Sequence, residues 1–283
     1  MVPDASTKLC CILGDPVEQS ISPFLHNSAF ASLELNYIYL TFRVKRNSLR
    51  EVISGFRALS FVGANVTMPH KESVISLLDD LDPLVKRVGA VNTILNKDQV
   101  LTGFNTDVAG FAGPLKKRIH SLRGMRAVII GAGGVSRAAL VALVDGGCDD
   151  IVILNRTLKR GQELAGLIET RHSVKAIAKE LSQENLDDIG EFDLIVNASP
   201  LNSNTDHASI KFNNLKAQSA IAYDLVYRPM ETRFLTEMKE SGAEVICGYE
   251  MLVEQAALSF EIWTDMNPSR NSMSRDALEV LRS

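Results

Sequence analysis

Residues 65–71 read NVTMPHK. The run FVGANV (61–66) is apolar enough for a buried strand, and Lys71 follows it two residues after Pro69. A long cation at that place is either a solvated charge or a pocket-facing acid and base. The segment after Pro69 is expected to be helical. The positive end of a helix dipole disfavours a cation, and a neighbouring carboxylate favours one. A lysine balanced between the two suits acid and base work in a pocket. His70 is read as a surface or packing residue beside a better general acid. Asp107, just ahead of VAGFAGPL, is a good helix N-cap in its own right.

A second candidate lies in VIIGAGGVSRAA (128–139), where glycines follow an apolar run and precede a helical pattern. Unsatisfied N–H groups and the dipole at such a helix start attract phosphate. Gly131 permits the tight turn and Gly133 the close approach of backbone to a pyrophosphate. Ser136 stands where the usual fingerprint has its third glycine. Gly131, Ala132, Gly133, Gly134 and Val135 are therefore candidate cofactor contacts. The next apolar run ends in LNRTLKR (154–160). An acid there would bind a ribose 2′-hydroxyl, but Asn155, Arg156 and Thr157 occupy the place, with Lys159 and Arg160 close behind. Arg156 and Arg160 suit a 2′-phosphate, whose oxygens match a guanidinium fork. The expected cofactor is NADP; the bland reading makes these arginines solvated charges.

The elements that must hold these groups alternate. Strand patterns fall at 8–14, 37–44, 61–66, 125–130, 150–155, 192–199, 220–225 and 243–247. A hairpin is expected from 90–96 and 99–105, turning at Lys97-Asp98. Helical patterns fall at 23–35, with Ser22 as N-cap and Pro23 first in the helix, and at 48–59, Asp107–His120 and 249–263. The fold class is α/β with mostly parallel buried strands.

The bulk numbers fit an ordinary globular chain. It has 283 residues, a net charge of −4 and no basic excess that would suggest nucleic acid. Cys10, Cys11, Cys148 and Cys247 show neither zinc nor disulfide spacing and read as core thiols in a reducing compartment. No metal site is expected. The start, MVPDASTK, lacks a signal-like apolar core, and no run is long enough for a membrane span. A cytoplasmic protein is expected.

Six segments together are specific: GDPVEQSISPFLHN (14–27), GANVTMPHK (63–71), GAVNTI (89–94), GFNTD (103–107), GAGGVSR (131–137) with NRT (155–157), and YRPMET (227–232) with GYEMLVEQA (248–256). In order and spacing the chain resembles the shikimate dehydrogenase family, nearly end to end. That resemblance implies two domains: a substrate-binding and catalytic α/β domain of 1–107 plus 249–283, and an NADP-binding Rossmann domain of 108–248. The C-terminal helix would pack back on the first domain. The implied reaction is reversible reduction of 3-dehydroshikimate to shikimate in aromatic amino acid (chorismate) biosynthesis. A quinate/shikimate dehydrogenase of wider substrate or NAD use is the near alternative, and a non-catalytic NADP sensor the distant one. The resemblance makes Lys71 and Asp107 catalytic, and Ser20 and Ser22 the carboxylate-binding pair. Thr67, Asn92, Tyr227 and Gln255 would contact the ring, and Gly248 would lie on the nicotinamide side. The partner is the small-molecule substrate, and the chain is a monomer or homodimer. One departure stands out. The loop NASPLNSNTD (197–206) has Ser199 for the family's threonine and lacks its Gly-Met ending, which touches the details of cofactor packing.

Overall fold

The computed structural model describes residues 2–168, 174–200 and 210–282. They form two compact units, 1–110 with 253–283 and 111–252.

The first unit is built on β1 (Lys8–Gly14), α1 (Ser22–Ser32), β2 (Tyr37–Arg43), α2 (Leu49–Ala58), β3 (Gly63–Val66), β4 (Asp80–Leu81), α3 (Pro83–Val88), β5 (Thr93–Lys97) and β6 (Val100–Phe104). Their order in the sheet is β2-β1-β3-β5-β6-β4. β1 runs parallel to β2 and β3, while β5 is antiparallel to both β3 and β6, so this sheet is mixed. The hairpin turns one residue later than the sequence suggests. Lys97 pairs with Val100, and Asp98 and Gln99 both take positive φ (52° and 68°), as a two-residue hairpin turn of matching twist requires. Cys11, Leu13, Ile53, Phe56, Val66 and Ile94 belong to the core beneath α2.

α4 (Asp107–Lys116) leads into the second unit. There β7 (Arg126–Ile130), α5 (Gly134–Asp145), β8 (Asp150–Asn155), α6 (Leu158–Gly166), β9 (Lys175–Glu180), α7 (Gln183–Asp187), β10 (Leu194–Asn197), β11 (Ile221–Asp224), α8 (Arg233–Glu240) and β12 (Glu244–Ile246) follow. All pairings are parallel, in the order β12-β11-β10-β7-β8-β9. Renumbered from β7, that is 3-2-1-4-5-6, the doubly wound dinucleotide-binding order, whose switch point lies between β7 and β10. The central strands β7, β8, β10 and β11 read as nearly unbroken apolar, buried runs, as buried parallel strands do, while the edge strands β9 and β12 are only partly buried.

α9 (Gly248–Thr264) begins in the second unit and ends in the first, and α10 (Arg270–Arg282) completes the first. Trp263 anchors α9 to the first sheet: its Nε1 donates to the Ile94 carbonyl at 2.9 Å, over Gly63. A Cβ on Gly63 would lie 2.2 Å from that nitrogen, so only glycine fits there.

Two expectations are corrected. Lys71 does not open an α-helix: residues 69–74 form successive turns, followed by a single 3-10 turn at Ile75–Leu77. Ser22 does not cap α1 either. Ile21 holds the cap position, Ser22 is the first helical residue, and the Ser22 N–H donates to Ser20 Oγ at 3.3 Å.

Candidate active site

Lys71 sits on the turn after β3, beyond a cis Met68–Pro69 peptide. Its backbone carbonyl accepts from the Val91 N–H at 2.8 Å, which ties this turn to the segment entering β5. That segment is aimed by α3, which Asp82 caps through the Leu84 N–H at 2.8 Å. The helix ends at Gly89, left-handed at φ 70°, a conformation glycine adopts freely. Three residues later comes Asn92, buried. Asp107 stands at the start of α4, also buried.

These three meet. Lys71 Nζ lies 2.5 Å from Asp107 Oδ2, and Asn92 Nδ2 donates to Asp107 Oδ1 at 2.8 Å. The Asp107 side chain is 5% exposed and that of Lys71 17%, so the ion pair is shielded, the carboxylate more than the lysine. The carboxylate has both oxygens engaged by donors, which fixes its orientation. Gln255 approaches the same group, with Oε1 3.4 Å from Asn92 Nδ2. A close helix crossing places it there: a Cβ on Gly110 of α4 would fall 2.7 Å from Gln255 Cβ. Gly110 is thus a positioning residue that the sequence shows only as an unexplained glycine inside a helix.

The helix-start dipole expected at Lys71 has no helix to supply it, so the carboxylate is what holds the ammonium. His70 does not join: it is buried, and its Nε2–H donates to the Val44 carbonyl at 2.6 Å. Asn65, on β3, is buried in a polar network behind Asn92. Thr67 follows it, its N–H bonded to the Leu13 carbonyl at 2.9 Å and its methyl over Gly14. Ser20 and Ser22 are bonded to each other rather than to the Lys71 group, on the loop entering α1.

In the second unit, Gly131 ends β7 with φ 107° and fits against β10: a Cβ there would lie 2.8 Å from the Ala198 carbonyl oxygen. Gly133 precedes α5 and has open space where a Cβ would stand. Its N–H donates to the buried Ser136 Oγ at 3.1 Å. Ser136 therefore braces the turn from beneath, at the place of the missing third glycine. Ala132, Gly134 and Val135 complete an exposed to half-buried loop at the switch point. At the end of β8, Asn155 Nδ2 donates to the Thr157 carbonyl at 2.9 Å, turning the chain into α6. Arg156, Thr157 and Arg160 are exposed. A dinucleotide fits this surface: a helix start stands beside small residues, and guanidinium groups stand where an acid would exclude a 2′-phosphate.

Tyr227 lies between β11 and α8. Gly248 opens α9 against backbone, since a Cβ there would lie 2.6 Å from the Val226 carbonyl oxygen. In the atypical loop, buried Asn197 donates to Asp224 Oδ1 at 2.9 Å, and Ser199 Oγ donates to Asn197 Oδ1 at 2.8 Å. Residues 201–206 of that loop lie outside the described residues. Among the described residues the four cysteines are free, and no cluster of His, Cys, Asp or Glu could hold a metal ion. Burial raises the Cys10 and Cys11 thiols well above the ordinary range and pushes Cys148 up to about 11. No described helix is long and apolar enough to cross a membrane.

A doubly wound dinucleotide-binding unit joined to a mixed α/β unit with a shielded lysine–carboxylate pair defines a two-domain α/β dehydrogenase class. Within that class the chain belongs to the shikimate dehydrogenase family. Residues 12–94 match the shikimate dehydrogenase substrate binding domain, 114–220 shikimate / quinate 5-dehydrogenase, and 248–275 the shikimate 5′-dehydrogenase C-terminal domain. The shikimate dehydrogenase (NADP(+)) of Moorella thermoacetica is 41% identical over 98% of this chain and 95% of its own. Shikimate 5-dehydrogenase of Thermus thermophilus, in complex with NADP(H) and shikimate, superposes with a TM-score of 0.84 at 35% identity, over 97% of this chain and 100% of that one. Quinate dehydrogenase of Corynebacterium glutamicum, in complex with NAD, superposes at 0.85 with 27% identity, over 96% and 99%.

Proposed function

We propose that the chain is an NADP-dependent shikimate dehydrogenase, reversibly reducing 3-dehydroshikimate to shikimate in chorismate biosynthesis. The observation that carries this reading is the Lys71–Asp107 pair at 2.5 Å, assembled from two segments 36 residues apart and fixed by Asn92. The nicotinamide, when bound, supplies or takes the hydride at the ring carbon. The chain's residues do the rest. Lys71 gives a proton to the carbonyl oxygen as it becomes an alkoxide, and takes it back on reversal. Asp107 keeps Lys71 aimed and accepts from a ring hydroxyl. Gln255 reads a neutral hydroxyl with an amide that donates and accepts, and Asn92 contacts the ring by sharing the Nδ2 hydrogen that otherwise faces Asp107. Ser20 and Ser22 take the substrate carboxylate, and Thr67 and Tyr227 complete the ring contacts.

The first unit carries substrate binding and catalysis, and the second the cofactor. Gly131 to Val135 hold the pyrophosphate, Arg156 and Arg160 the 2′-phosphate with Asn155 and Thr157 beside them, and Gly248 leaves room for the nicotinamide. The exposed Arg156 and the absence of an acid at Asn155 favour NADP, and with it the biosynthetic enzyme over a quinate/NAD enzyme. A reducing, cytoplasmic setting suits four free thiols, and the chain works as a monomer or homodimer.

The test is NADPH absorbance on mixing protein, NADP and shikimate, repeated with quinate and with NAD. Turnover fastest with shikimate and NADP is expected. A faster quinate/NAD combination would transfer the chain to the quinate enzymes. Cofactor binding with no turnover of either acid would make it a sensor.

A further inference from the structure

Behind Asn92 lies a set of buried polar groups that the proposed chemistry does not use: Thr93 on β5, Thr106 before α4 and Ser259 on α9, all 4% exposed or less. Their separations close a ring. Asn92 Nδ2 lies 2.8 Å from Thr106 Oγ1, Thr106 Oγ1 3.2 Å from Ser259 Oγ, Ser259 Oγ 2.8 Å from Thr93 Oγ1, and Thr93 Oγ1 3.0 Å from Asn92 Oδ1.

One direction around that ring satisfies every member. The Thr106 backbone N–H can only donate, and it points at Asn92 Oδ1 from 2.8 Å, so that amide atom is the oxygen. Asn92 Nδ2 must then donate to Thr106 Oγ1. Each hydroxyl owns one hydrogen; in this direction Thr106 passes its own to Ser259, Ser259 to Thr93, and Thr93 to Asn92 Oδ1. The Gln255 carbonyl, 3.0 Å from Ser259 Oγ, competes for the same hydrogen at the longer distance. Asn65 reinforces the polarity. Tyr39 donates to its Oδ1 at 2.7 Å, so its Nδ2 faces Ser259 Oγ at 3.0 Å and Thr93 Oγ1 at 3.2 Å. Those hydroxyls receive hydrogens from outside the ring, which leaves their own to pass around it. Hydrogen bonds running one way strengthen each other in a low dielectric. The side-chain hydrogen of Asn92 outside the ring is the second one on Nδ2, and Asp107 Oδ1 at 2.8 Å is a nearer acceptor for it than Gln255 Oε1 at 3.4 Å.

We propose that the Thr93–Thr106–Ser259 hydroxyls are positioning residues, forming with Asn92 a one-way hydrogen-bond ring that presets Asp107 and, through it, Lys71. The proposal rests on the Lys71–Asp107 pair being the reaction's acid–base centre. Thr93→Val removes a hydroxyl at nearly constant shape, Thr93→Ser keeps it, and Ser259→Ala opens the ring elsewhere. Thr93→Val and Ser259→Ala should each lower kcat for shikimate oxidation about five- to tenfold, the size of one lost hydrogen bond, with KM for NADP unchanged. Thr93→Ser should return kcat to within about twofold, and the double variant should be no slower than the slower single, because a ring breaks once. Unchanged kcat in the single variants, or fully additive losses in the double, would overturn the ring. Hydrogen exchange of the Asn92 side-chain amide, assigned by its loss in Asn92→Ala, reads the ring without turnover: slow exchange in the native chain and fast exchange in Ser259→Ala are expected. Absence of shikimate turnover in the native protein would refute the proposed activity alone; equally fast amide exchange in both proteins would refute the ring alone.

Discussion

Lys71 and Asp107 would be two ordinary surface charges if the turn after β3 and the start of α4 did not bring them to 2.5 Å. Because Asp107 is itself held by Asn92, replacing the ammonium with a methionine of similar length removes the proton and leaves the scaffold. Lys71→Met should cut turnover by roughly 10²- to 10⁴-fold, the usual reach of general acid–base help, with cofactor affinity intact. A stopped assay alongside cofactor titration separates the two quantities. Arg156 makes a different kind of contribution. It is exposed, and its guanidinium can act on only one part of the cofactor, so Arg156→Ala should raise KM for NADP much more than KM for NAD. Equal losses would remove it from the 2′-phosphate. Both residues could be picked out in the sequence, one by its place after a strand and proline, the other by the acid it replaces. Thr93, Thr106 and Ser259 could not. A buried hydroxyl announces itself only through its partners, and Ser259 meets Thr93 from 166 positions further along the chain.

The helices α4 and α9 carry the groups that the strands alone cannot bring together. Gly110 lets them cross closely enough for Gln255 to reach Asn92, and Gly248 lets α9 start against the backbone of residues 224–226. At Gly248 a Cβ would meet the Val226 carbonyl oxygen at 2.6 Å and its carbon at 2.8 Å, atoms that cannot turn aside as a side chain can. Gly248→Ala should therefore destabilise the fold by about 1–3 kcal/mol, the common cost of overpacking, read as a lower urea midpoint. An unchanged midpoint would mean that the 224–226 segment yields freely. Period and punctuation in the sequence are enough to find the apolar strands, the hairpin and α9. They do not find β9, an edge strand whose KAIAKE pattern is only half-buried, or α10, whose face is mostly polar. The helix expected after Pro69 is interrupted by a tertiary bond: the Lys71 carbonyl accepts from the Val91 N–H, while His70 and Glu72 accept only locally, from Val74 and Ile75, in isolated turns.

At the scale of the molecule, each unit stands on its own core, and the first contains a charge-sensitive point inside it. His26 on α1 is fully buried, its ring stacked on Tyr39 at 4.4 Å and surrounded by Phe30, Phe260 and Trp263. Burial among these rings lowers its pKa to about 3, because the imidazolium would lose its hydration there. In the unfolded chain the same group titrates near its ordinary value of about 6.5. Between those two values the unfolded state binds a proton that the folded state refuses, so folding stability must rise with pH across that window. Above about pH 6.5 both states hold the neutral ring and this contribution is complete; as pH falls toward 3 it drains away, at most by about 1.4 kcal/mol per pH unit. His26→Phe keeps an aromatic ring against Tyr39 and removes the titration. Urea midpoints of the native chain and of this variant, taken at pH 7 and at pH 4.5, should diverge on acidification, with the native chain losing more. Parallel losses would show that carboxylates elsewhere, and not His26, set the acid limit of the fold.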